Sequence, residues 1–156
     1  MQDSQESQYQ FACQVHHYLQ EFIRSADQKA SFLLAAASVL LALVGPLKTH
    51  GVGVCLQSSV AVLAGLSVVL CLAVVWPRQR RHRHGLIFWK GILAQSEDEY
   101  LTAVADLDGA AATKQILMHC YALARILEKK YDLLPWAVPP FVLAGMLAVI
   151  ALMFQA

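Results

Sequence analysis

The chain has 156 residues, of which 58% are hydrophobic and 15% charged, and its formal net charge is +1. A water-soluble domain of this size is rarely so apolar. Charged and apolar residues occupy separate segments, so the near-neutral total carries no information about partners. We expect no nucleic acid among them.

Three stretches lack charged residues and are long enough to cross a bilayer, at residues 30–47, 52–76 and 133–156. About 20 apolar helical residues span a hydrocarbon core of roughly 30 Å. Buried core helices are the alternative, but three such stretches leave too little polar surface to cover them. The sequence therefore predicts an all-α integral membrane protein, with three transmembrane helices and a cytoplasmic helical bundle continuous with them.

The orientation follows from the basic segment after the second stretch, where Arg78, Arg80, Arg81, Arg83 and Lys90 occur without an acidic residue. Short cytoplasmic loops carry the excess of lysine and arginine. We therefore expect a cytoplasmic N-terminus and an outside C-terminus. The four arginines either determine this topology or also bind anionic lipid headgroups at the membrane surface.

The predicted organisation alternates cytoplasmic and membrane segments. Its parts are an N-terminal cytoplasmic helix at 1–29, the first span at 30–47, the second span at 52–76, a cytoplasmic helical hairpin at 77–132 and the third span at 133–156. Helical spacing of apolar residues predicts one long helix over about 10–46, ended by Gly45 and Pro46. Two further cytoplasmic helices are expected at about 85–105 and 110–134.

Apolar stripes should mark the faces on which these cytoplasmic helices pack. The stripe of the first helix consists of Phe11, Val15, Tyr18, Leu19, Phe22 and Ala26. The stripe of the last consists of Leu117, Cys120, Tyr121, Ala124, Leu127 and Tyr131.

Two charges stand where the first helix enters the membrane. Asp27 and Lys29 are two residues apart, so they point about 200° apart on a helix and cannot pair with each other. Lys29 extends the apolar stripe, whereas Asp27 extends a polar row that includes Arg24. A cation on a buried stripe needs a partner or an anionic ligand, unless it reaches out to the interface. We therefore expect Lys29 to face the bundle.

Motifs for catalysis, cofactors and metals are missing from the sequence. The spans hold no charged residue, which argues against a coupled transporter. The four cysteines occur singly, and neither His16–His17 nor the pair His82 and His84 has the spacing of a metal site. We expect a protein that is not an enzyme and uses no cofactor or metal.

Small residues recur four apart in each span, a spacing that lets helices approach closely. These pairs are Ser31 and Ala35, Ala61 and Gly65, and Ala144 and Ala148. They favour a homo-oligomer in the bilayer.

Several short motifs, taken together, resemble the transmembrane Pycsar-effector family. They are SADQKAS before the first span, the Pro-Arg start after the second, GLIFW, EDEYL, and ILEKKYDLL before the third. The similarity runs from about Phe11 to Leu152. Its most specific elements are Ala26-Asp27-x-Lys29-Ala30 and Lys130-Tyr131.

The resemblance implies a bacterial antiphage effector that works by abortive infection. A partner cyclase would make a cyclic pyrimidine mononucleotide, cUMP or cCMP, and the effector would bind it in the cytosol. It would then impair the inner membrane, so that growth stops or the cell dies. The composition and the helical pattern do not by themselves indicate this function.

Such a role requires a site for one phosphate and one pyrimidine ring. The predicted phosphate contacts are Lys29, Arg125 and Lys130. The residues predicted to stack on the base are Tyr100, Tyr121 or Tyr131. Asp27 would orient a cation or a ribose hydroxyl. The same residues could instead form interhelical salt bridges and core packing.

A structural or scaffold membrane protein is the competing interpretation. Its cytoplasmic helices would dock a protein partner and sense no nucleotide, with the same topology. Toxicity that depends on a co-expressed cyclase would separate the effector from the scaffold.

Overall fold

The computed structural model describes residues 2–45, 52–76 and 86–153, with side chains from residue 5 in the first range and 53 in the second. Within these ranges every regular element is a helix, which confirms the predicted all-α fold. The helices are α1 (Gln2–Val44), α2 (Val52–Val75), α3 (Trp89–Ile92), α4 (Glu97–Ala105) and α5 (Gly109–Met153).

Two helices are far longer than a bilayer requires. α1 has 43 residues and α5 has 45, whereas about 20 suffice for a span. The predicted long helix over 10–46 is confirmed and begins further upstream; its last helical residue is Val44, while Pro46 lies outside the described residues. The Gln57 amide donates to the carbonyls of Val44 and Gly45, at 2.9 and 3.1 Å, and so satisfies the end of α1.

α5 joins the predicted cytoplasmic helix at 110–134 to the third span without a break. It does so although Pro135, Pro139 and Pro140 lie inside it. Each proline removes one backbone donor, which transmembrane helices tolerate when neighbouring groups satisfy the freed carbonyls.

The prediction of one continuous helix over 85–105 is wrong. The described part contains a single turn, α3, and then α4, with a break at 93–96. The break occurs because Ser96 is extended and caps α4: the Glu99 amide donates to the Ser96 hydroxyl, and the Ser96 amide donates to the Glu99 carboxylate at 2.8 Å. This reciprocal pair starts a new helix where apolar spacing alone predicted continuation.

Three helices, α1, α2 and α5, are long and apolar enough to cross a membrane. The chain also divides into two compact units. The first consists of Met1–Ile23 and Pro77–Leu127, and the second of Arg24–Trp76 and Glu128–Ala156.

The second unit is held together by two apolar clusters, and each takes residues from α1, α2 and α5. The first cluster contains Ala30, Cys71, Val74, Leu134 and Ala137. The other contains Val44, Val60, Ala64, Ala144 and Ala148. Alanines bring the backbones close, as is typical of helix contacts in membranes. Of the predicted small-residue pairs, only Ala144 and Ala148 are both buried among the described residues.

The cytoplasmic stripes predicted from apolar spacing are wrong in part, because small residues occupy the contact faces in the first unit. Cys120, a member of the predicted α5 stripe, is 5% exposed, and Ala12, which lies outside the predicted α1 stripe, is fully buried. The predicted Phe11 and Tyr18 are about 60% exposed, and Tyr121 is 70% exposed. Spacing identifies an apolar side of a helix, but small side chains allow closer backbone contact than rings do. The rings of Phe11, Tyr18 and Tyr121 are therefore largely exposed.

Candidate functional site

An ion pair joins α1 to α5 in the second unit. The Lys130 ammonium donates a hydrogen bond to the Asp27 carboxylate. The Lys130 side chain is 8% exposed and that of Asp27 is 36% exposed. A cation as buried as Lys130 requires a partner, and Asp27 supplies it. The two charges lie 103 residues apart in sequence, so their contact depends on helix packing.

The structure corrects the predicted faces of Asp27 and Lys29. Asp27 faces α5, while Lys29 is exposed and lies beside the Tyr131 ring, with its Nζ 5.7 Å from the ring centroid. The two side chains do diverge as expected, but the assignment of sides was wrong, because the Asp27 carboxylate meets Lys130 of α5 and the Lys29 side chain is exposed. Four of the predicted site residues, Asp27, Lys29, Lys130 and Tyr131, are thus brought together.

The other three predicted site residues belong to the first unit. The Tyr100 hydroxyl donates to the Leu86 carbonyl at 3.3 Å, so this ring is anchored at one end. Tyr121 is 70% exposed, and Arg125 is also exposed. The seven residues therefore divide between two units. Arg78, Arg80, Arg81 and Arg83, predicted to contact the membrane surface, lie outside the described residues.

An open groove of about 500 Å³ lies between α1 and the first turns of α5, within the first unit. Its polar side chains are Gln8, Thr113, Lys114 and Tyr121, and its apolar wall is formed by Ala110, Leu117 and Met118. The α5 residues are spaced by three and four, so they share one face of that helix. Tyr121 is the one predicted site residue among these lining residues, and Leu117 was predicted only as part of the apolar stripe. Spacing along α5 does not show that Gln8 lies opposite.

Lys114 and Gln8 have no ion pair or hydrogen bond with any side chain that the structure describes, and both are exposed. The Thr113 hydroxyl, by contrast, already donates to the Gly109 carbonyl at 2.8 Å. No carboxylate lines the groove among the described residues. The groove therefore presents one positive charge, one amide and one aromatic ring to solvent.

In the first unit, α1 and α5 are in contact through two histidines. The rings of His16 and His119 have centroids 5.2 Å apart and are tilted by 43°. The pKa of His119 lies below its usual 6.5, mainly because the ring is buried and to a smaller extent because His16 is nearby. His119 thus favours its neutral form.

Next to this pair, the buried Cys120 thiol donates to the Ala12 carbonyl at 3.9 Å. Burial raises the pKa of Cys120 above its usual 9.0, so the thiol stays protonated at neutral pH. Across the described ranges, no three histidine, cysteine or acidic side chains converge as metal ligands would. The residues at this contact pack α1 against α5 in the first unit.

Comparison with known proteins identifies a family for this chain. The family model described as Pycsar effector protein domain matches residues 11–156. No curated protein and no solved structure matches the sequence.

Proposed function

Since this chain belongs to the family of Pycsar effector protein domains, a family of antiphage defence effectors, we propose that it binds a cyclic pyrimidine mononucleotide in the cytosol and impairs the inner membrane in response. The ligand is cUMP or cCMP, made by a partner cyclase. The resulting growth arrest or cell death is abortive infection. The protein acts without catalysis and needs no cofactor.

The proposed topology has the N-terminus and residues 77–132 in the cytoplasm and the C-terminus outside. The arginine-rich segment after α2 supports this orientation. α1 and α5 contribute residues to both units. A nucleotide bound on the cytoplasmic part of either helix can therefore influence how the same helix packs in the membrane.

The observation that carries the mechanism is the ion pair between Asp27 and Lys130. It joins α1 to α5, and its cation is buried. If the pair is broken while the helices stay as they are, a charge is left unpaired beside the bilayer. That arrangement is unfavourable, so the two helices then adopt another one. The pair is therefore suited to hold a resting state.

A ligand shifts a protein between two arrangements only if it binds them with different affinity. We propose that the nucleotide prefers an arrangement in which α1 and α5 repack and the Asp27–Lys130 contact is lost. In an oligomer, repacked spans would leave gaps lined by lipid or apolar side chains. Such gaps require no charged residue inside the spans, in agreement with the uncharged stretches.

A leakage assay tests this function. Purified protein is reconstituted in liposomes that contain a fluorescent dye, and leakage is measured with cUMP, with cCMP, and with cAMP as a control for the base. We expect dye release with at least one pyrimidine nucleotide and none with cAMP. The Asp27→Asn variant should leak without any nucleotide, because its resting contact is gone.

Two results would contradict the proposal. If neither pyrimidine nucleotide causes leakage or binds the reconstituted protein, the effector function is wrong. If Asp27→Asn folds and leaks only as the unmodified protein does, the ion pair does not hold the resting state. A stable complex with a protein partner that does not depend on any cyclase would favour the scaffold role.

A further inference from the structure

The groove in the first unit is formed by one face of α5 and by one residue of α1. Lys114, Tyr121 and Gln8 differ in chemistry, yet they line the same depression of about 500 Å³. Ligand sites of small molecules typically have volumes of 300–1,000 Å³ and combine apolar walls with a few polar groups. Leu117 and Met118 supply the apolar wall here.

The charge of the groove matches that of one phosphodiester. A cyclic mononucleotide carries a single negative charge, and Lys114 is the single cation in the described lining. Since no described carboxylate lines the groove or pairs with Lys114, the ammonium is available to an anion. An ammonium–phosphate contact is a charge-assisted hydrogen bond, the stronger class of such bonds.

The remaining polar groups match a nucleobase. The Tyr121 ring, 70% exposed, offers a face on which a base can stack, and it lies seven residues, or two helical turns, beyond Lys114. The Gln8 amide has both a donor and an acceptor, so by rotating it can match the edge of uracil or of cytosine. Gln8 therefore fixes the position of the ring without selecting between the two bases.

Resting on the proposed function, we propose that the cyclic pyrimidine nucleotide binds in this groove, with its phosphate on Lys114, its base stacked on Tyr121 and the base edge against Gln8. The residues of the second unit are less suited to this task. Lys130 is buried and already bound to Asp27, and Lys29 lies beside Tyr131.

Binding of cUMP and cCMP to the full chain in detergent, measured by calorimetry, tests this assignment. We expect Lys114→Ala to weaken binding by about tenfold or more, as loss of a charge-assisted bond implies. Tyr121→Ala should weaken it by about tenfold, whereas Tyr121→Phe should bind like the unmodified protein, because stacking needs only the ring.

Arg24→Ala is the matched control, since it removes an exposed cation outside the groove. It should keep the unmodified affinity, while Lys29→Ala tests a phosphate site at the entrance to the first span. The altered side chains of the groove are exposed, so thermal unfolding of every variant should be unchanged.

The outcomes separate the two proposals. If the unmodified protein binds neither nucleotide, both the proposed function and the groove assignment fail. If it binds one of them and either Lys114→Ala or Tyr121→Ala keeps full affinity, the groove assignment alone is wrong. Loss of binding in Lys29→Ala instead would place the phosphate at the entrance to the first span.

Discussion

Lys130 on α5 donates a hydrogen bond to Asp27 on α1, and the two residues are unequally buried, with side-chain exposures of 8% and 36%. Removing one partner of a buried ion pair costs about 3–5 kcal/mol, chiefly because the remaining charge is left unpaired. We expect Asp27→Asn to lower the free energy of unfolding by roughly 3 kcal/mol, since it leaves the more buried charge.

Lys130→Met should cost less, about 1 kcal/mol, because the Asp27 carboxylate that remains is partly solvated. The double variant should be more stable than Asp27→Asn alone. Unfolding in detergent of the two single variants and the double variant gives the interaction energy. Equal losses in the two single variants would contradict the role assigned to burial.

A hydrogen bond between two spans gives a second prediction. The fully buried Ser67 hydroxyl, on α2, donates to the Ala137 carbonyl, on α5, at 2.8 Å. Such bonds in membranes contribute about 0.6 kcal/mol on average. Ser67→Ala should therefore lower the unfolding free energy by about 0.5–1 kcal/mol, measured by denaturation in mixed detergent micelles.

Ser58→Ala is the matched control for that measurement. The Ser58 hydroxyl is exposed and bonds the Val54 carbonyl of its own helix at 2.9 Å. Its removal breaks no contact between helices and should leave stability unchanged within error. An equal effect in both variants would mean that the link between α2 and α5 is not the source of the loss.

The cap of α4 gives a third prediction. Ser96 accepts a hydrogen bond from the Glu99 amide and donates its own amide to the Glu99 carboxylate. Ser96→Ala should cost about 1 kcal/mol, the usual value for an N-cap. Hydrogen exchange should speed up at residues 97–100 and stay unchanged in α5. Unaltered exchange in the first turn of α4 would show that the cap does not hold this helix.

The same cap responds to pH. The hydrogen bond from the Ser96 backbone lowers the pKa of Glu99 below its usual 4.5. A carboxyl group with a depressed pKa in the fold contributes stability above its unfolded value and loses it as pH falls through the folded one. The amides of α4 should therefore lose protection, relative to their intrinsic exchange rate at each pH, as the pH falls below 4.5, and Glu99→Gln should flatten this dependence.

His119 gives a pH dependence in a different range. Its pKa in the fold lies below 6.5, from burial first and from His16 second. The unfolded chain therefore binds a proton at a higher pH than the folded chain does, and stability rises with pH across that interval. We expect thermal stability to fall as the pH decreases below about 6.5 and to level off below the folded value.

Unfolding temperatures between pH 5 and pH 8 check this prediction. The His119→Asn variant should lose most of the pH dependence of the unfolding temperature. It removes the imidazole group, and burial disfavours the protonation of that group. His17→Asn is a suitable control, since the His17 side chain is 74% exposed. A pH profile unchanged by His119→Asn would contradict the assignment.

Several features of the protein followed from the sequence alone. Uncharged stretches of bilayer length predict the three apolar helices however these helices pack, because hydrocarbon excludes unpaired charges and unsatisfied backbone groups. The continuity of α1 followed from uninterrupted helical spacing up to Gly45. The family also followed, since short motifs such as Ala26-Asp27-x-Lys29-Ala30 are local in the chain.

Which faces touch was decided only by the tertiary structure. Apolar spacing placed Phe11 and Tyr18 on the contact face of α1, but that helix meets α5 through Ala12, because small side chains allow the closest backbone approach. On α5 the predicted stripe held both Cys120, which is buried, and Tyr121, which is exposed. The same packing sets Lys130 against Asp27, and Gln8 opposite Lys114 and Tyr121. These contacts join residues about a hundred positions apart, and spacing within one helix carries no information about the helix that packs against it.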